Sequence, residues 1–195
     1  MKLLSVLIKS AALLGAFGLA LPAPAAEPPP IGGPVHAVWM PKESTFTFHG
    51  FTAHYSCDGL RDKMRVILLR LGARPDLELQ ERGCAGENVS VFPGVNIKMN
   101  VLKPVGGEIA VPAGEQPVAA QWQQVDLTYG KDPLDVAGDC ELIEQIQQYI
   151  LPLFATKDVT FRSFCVPNQL TLGGTSLSAY VLKSSQNLPK QARLK

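Results

Sequence analysis

Residues 57–84 read CDGLRDKMRVILLRLGARPDLELQERGC, and residues 140–165 read CELIEQIQQYILPLFATKDVTFRSFC. In the first stretch Leu60, Met64, Ile67, Leu68 and Leu71 follow one face of an amphipathic helix. In the second, Leu142, Ile146, Tyr149, Ile150 and Leu153 repeat that pattern, every position displaced by 82. Ala73, Asp76, Leu77 and Leu79 continue in the same register to Ala155, Asp158, Val159 and Phe161. Each stretch therefore predicts a helix, a short turn and a strand between two cysteines, and the self-similarity marks an internal repeat. Ser56 or Asp58 can cap the first helix and Asp139 the second, while Gly72 and Pro152 stop them.

The flanks complete each half. TFTFHGFTAHYS (45–56) alternates up to Gly50, where the apolar parity changes, which predicts a bulged strand. Val125, Leu127 and Tyr129 alternate ahead of the second helix, and VSVFPGVNIKMNVL (89–102) and TSLSAYVL (175–182) predict strands after each unit. The expected fold is α+β: two pseudo-repeated β-α-β-β halves at 45–102 and 122–183, each an amphipathic helix on a small sheet with one intra-repeat disulfide. Residues 26–44 are a Pro/Gly-rich linker, 103–121 a Pro/Gly-rich connection and 184–195 a basic tail.

Four cysteines, Cys57, Cys84, Cys140 and Cys165, allow three pairings. When the strands flanking a helix run the same way, the helix start and the second strand's end share one edge of the sheet. That geometry favours Cys57 with Cys84 and Cys140 with Cys165. Disulfides imply an oxidising compartment, and the amino terminus agrees. MKLLSVLIKSAALLGAFGLALPAPAAEPPP (1–30) places Lys2 and Lys9 before an apolar run, then a small-x-small Ala23-Pro24-Ala25. This is a signal-peptide pattern over 1–25 with cleavage after Ala25; the apolar run is shorter than the roughly 20 residues of a membrane span. The expectation is export to the periplasm or beyond, with no stable membrane span after cleavage.

Removing Lys2 and Lys9 takes the formal charge from +1 to −1, which gives no electrostatic case for nucleic acid. His49, His54 and Cys57 form H-x4-H-x2-C, imidazole and thiolate donors that suit zinc or copper, although a thiolate ligand requires Cys57 reduced and the spacing fits no standard motif. Asp132, Asp135, Asp139, Glu141 and Glu144 form an acidic patch without a calcium-loop pattern, and helix-start electrostatics explain the last three. G-x-S-x-G and H-E-x-x-H are both absent from the sequence. Asn88-Val89-Ser90 is an acceptor only where exported proteins are glycosylated.

The sequence thus favours a non-enzymatic binding, inhibitory or assembly module acting on a protein or glycan of the cell envelope, with no cofactor. Candidate contacts are Trp39, Phe51, Tyr55 and Trp122, aromatic residues outside the helical faces, for which core packing is the competing role. The alternatives are a hydrolase using the patch around Asp135 or the His49/His54 pair, and a metal-binding protein at His49 and His54.

Overall fold

The computed structural model describes residues 31–52, 54–84, 92–106, 111–112, 114–135, 139–166, 168–169 and 174–185. The signal-peptide pattern, Ala53, the Asn88–Ser90 acceptor and residues 186–195 of the basic tail lie outside them.

The first elements are β1 (Ile31–Thr47), α1 (Cys57–Arg70), β2 (Glu78–Arg82) and β3 (Gly94–Pro104). They are followed by β4 (Val118–Thr128), α2 (Asp139–Gln145), β5 (Thr156–Arg162) and β6 (Ser176–Ser184). The result is a mostly-sheet α+β fold with one six-stranded antiparallel sheet in the order β2-β3-β1-β4-β6-β5. Outward from the centre the order is β1, β3, β2 on one side and β4, β6, β5 on the other. The central pair overlaps only where Ile31–Ala37 meets Val118–Trp122, with a register shift between Ile31 and Val35.

β1 starts well before the expected Thr45, inside the stretch that composition marks as a linker. Val35, Val38 and Trp39 supply strand propensity that outweighs the nearby glycines and prolines. Pro41 is tolerated because it lies beyond Ala37, where β1 has a paired neighbour on one side only. Likewise β3 and β4 extend into the expected connection, to Pro104 and from Val118. The predicted bulge at Gly50 does not form: β1 ends at Thr47, and the chain leaves the sheet.

Ser56 caps α1, its side chain accepting from the Gly59 N–H, and Gly72 follows the helix at φ +97°. Leu60, Met64, Ile67 and Leu68 are fully buried, each contributing about 1.5–3 kcal/mol of transfer free energy. α2 is shorter and changes pitch. Ile146–Ile150 forms a π-helical turn closed by Leu151 N–H to Ile146 O, and Leu151–Leu153 ends in a 3₁₀ turn. Pro152 has no N–H and its ring crowds the preceding turn, so the regular ladder stops there.

The apolar faces of both helices, Phe46, Val95, Ile97, Leu127 and Val181 form one main core. Trp39, Leu102, Trp122 and Leu182, of opposite strand parity, form a smaller cluster with Ala37 and Ala120. There the Arg74 guanidinium stands 5.6 Å from the Trp39 ring, and the Lys157 ammonium 4.3 Å from that of Trp122.

Both expected disulfides are present. β1 and β2 run the same way with β3 between them, as do β4 and β5 around β6. Cys57 and Cys84 come to a Cα separation of 6.3 Å, and Cys140 and Cys165 to 5.7 Å. No helix among the described residues is long and apolar enough to cross a membrane.

Candidate functional site

The backbone that departs from the sheet after Thr47 needs partners for its polar groups, and α2 supplies them. Gln145 pairs with His49 in both directions: His49 N–H donates to Gln145 Oε1 at 3.0 Å, and Gln145 Nε2 donates to His49 O at 2.9 Å. Glu141, only 4 % exposed, accepts the N–H groups of Phe51 (2.9 Å) and Thr52 (3.3 Å) and the Thr52 hydroxyl (2.8 Å). Its carboxylate is thus largely occupied in holding the loop of the first half against the helix of the second.

Two residues earlier, Asp139 is fully buried and accepts from the Tyr55 hydroxyl and from Lys63 Nζ, the latter at 2.8 Å to each oxygen. Lys63 also lies 5.4 Å from the Tyr55 ring centre, and Tyr55 packs edge-on against Phe48. Burial first, then the Asp139 charge and its hydrogen bond, push the Tyr55 phenol far above its ordinary range. The acidic residues expected to serve only helix-start electrostatics therefore form the polar seam between the two halves.

Above this seam lies a cleft of about 330 Å³ lined by His49, Phe51, Glu141, Glu144, Gln145 and Tyr149. Phe51 is 65 % and Tyr149 53 % exposed, so two aromatic rings stand in solvent beside it. Phe92, 53 % exposed, lies 5.1 Å from the His49 ring and extends the apolar surface. Glu144 accepts from the Ser163 hydroxyl. Neither Glu141 nor Glu144 has an ion-pair partner among the described residues, and the lining contains no lysine or arginine. A depression of about 420 Å³ over β1, β2 and β3 differs in kind: its lining includes Glu43, Thr45, Gln80, Asn96 and Lys98 and has no aromatic ring.

Of the candidate contacts, Phe51 alone faces solvent. Trp39, Tyr55 and Trp122 are 6–7 % exposed and pack the interior. Tyr149 escapes the sequence pattern because it sits at a helical-face position, and the π-turn rotates it outward. His49 borders the cleft and His54 is exposed. Among the described residues neither imidazole is hydrogen-bonded to a carboxylate, and no group of three or more His, Cys, Asp or Glu residues could hold a metal. Cys57, the sulfur in the proposed metal constellation, is in a disulfide. Asp135 is exposed, and its neighbour Asp132 pairs with Arg70 at 3.4 Å. Compared with protein-family models, curated proteins and solved structures, the chain matches none, so the cleft's meaning rests on its own chemistry.

Proposed function

We propose that this chain is an exported binding protein, without catalysis of its own, that holds a protein or glycan of the cell envelope at the cleft between its halves. The carrying observation is the pair of exposed rings, Phe51 and Tyr149, on supports fixed by Glu141 and Gln145. Exposed aromatics on ordered backbone contribute contact area at little entropic cost, the property of interface anchors. The amino-terminal pattern and two disulfides support export.

Affinity capture from the exported fraction tests the reading. Wild-type protein retains a reproducible partner, and Phe51→Ser/Tyr149→Ser loses it with an unchanged melting temperature. Equal retention by the variant contradicts it. Export itself is checked by the mature mass, expected to begin at Ala26.

The two β-α-β-β halves also fit duplication of one unit. The 82-residue register, the matching outward strand order and one disulfide per half support that history. An experimental structure in which 45–102 and 122–183 fail to superpose through helix and strands would overturn it.

A further inference from the structure

From the chemistry of the cleft we infer that its occupant is a basic side chain, lysine or arginine, presented by a partner protein. The inference rests on reading this cleft as the binding surface and specifies what that surface selects. Two features converge at one place. Phe51 and Tyr149 offer exposed π-faces, to which a cation is attracted. Glu141 and Glu144 place carboxylate charge in the same lining, hydrogen-bonded to neutral donors only. An apolar occupant would cover this charge without compensating it, and an anionic one would be repelled.

The cleft's size fits the proposal. About 330 Å³ lies at the low end of ligand pockets, room for one extended side chain rather than a large cofactor. Elsewhere Glu81 has Arg61 beside it and Asp76 has Arg74. At the cleft no described ion pair reaches either carboxylate, so the complementary charge is left for an occupant to supply.

The test is amide-resolved NMR titration of the mature full chain with Nα-acetyl-arginine methylamide and Nα-acetyl-lysine methylamide. The neutral isostere Nα-acetyl-citrulline methylamide is the control. The expected result is saturable shifts at Phe51, Glu144 and Tyr149 for a basic probe, with a dissociation constant on the order of 1 mM. Citrulline binds at least about tenfold more weakly, Glu144→Gln lowers affinity by a similar factor, and added salt weakens binding further. Glu144→Gln keeps an acceptor for Ser163, and Tyr149→Ala is a second variant at an exposed position.

Equal binding of citrulline, or no saturable shift with either basic probe, overturns the inference. So do the same shifts arising with protein concentration alone, which would assign the cleft to a second copy. So does their appearance when Lys190→Gln/Arg193→Gln/Lys195→Gln is compared with wild type without a probe, which would assign it to the chain's own tail. If a captured partner depends on Phe51 and Tyr149 while the basic probes fail, the binding role stands and only the cationic specificity falls.

Discussion

Glu141 carries more of the molecule's organisation than its place in an acidic patch suggests. Its carboxylate meets three donors from Phe51 and Thr52, 89 or 90 residues away in sequence. Glu141→Ala strands those donors, and we expect a loss of about 2 kcal/mol in denaturant unfolding. Hydrogen exchange at the Phe51 and Thr52 amides should accelerate more than at amides of β3. Tyr55 yields a pH signature. Its folded pKa is raised, so its contribution is complete below the unfolded value of 10.0 and is lost as pH rises beyond it. At pH 11 the loss is about 1.4 kcal/mol, because the unfolded phenol ionises and the buried one does not. Tyr55→Phe should therefore show a smaller fall in melting temperature between pH 9 and 11 than wild type. Gly72 is fixed by its surroundings. A Cβ there would sit 2.6 Å from the Leu182 carbonyl oxygen at φ +97°, so Gly72→Ala should cost about 1–3 kcal/mol in thermal unfolding.

At the scale of elements, the helices and disulfides are legible in the sequence and the pitch of the second helix is not. Leu60, Met64, Ile67 and Leu68 keep the 3.6-residue period from end to end, and all four are buried. Leu142 and Ile146 begin the same pattern, but the π-turn before Pro152 adds a residue to one turn. Tyr149 is then rotated to the surface while Ile150 stays in the core. The cysteine pairing follows from strand direction, which connectivity dictates. The start of β1 is obscured because Gly32, Gly33 and Pro34 signal a turn locally, although Val35–Ala37 pairs with β4 and Ala37–Trp39 with β3. Each disulfide closes a separation of 27 or 25 residues. In the chain-entropy account each is worth about 3.5 kcal/mol. Replacing either pair with serines should lower unfolding free energy by that order, measured in urea without reductant.

Across the whole molecule, the parts legible in sequence are those written in local periodicity, and the cleft is written in contacts between halves. Phe51 stands out as an aromatic outside both helical faces. Nothing local distinguishes it from Trp39 or Trp122, which cross-strand packing and the cations of Arg74 and Lys157 draw inside. The buried roles of Asp139 and Glu141 are invisible in the same way, since a carboxylate at a helix start is commonly solvated. We propose that the junction of the two halves, above this polar seam, is where the protein meets its partner. Site-specific photocrosslinking tests it most directly, with benzoylphenylalanine at Tyr149 and, as the comparison position, at Val66, which is 42 % exposed on α1. In the exported fraction a discrete crosslinked product is expected from position 149 and none from position 66. Crosslinking at 66 alone, or with equal yield at both positions, would contradict it.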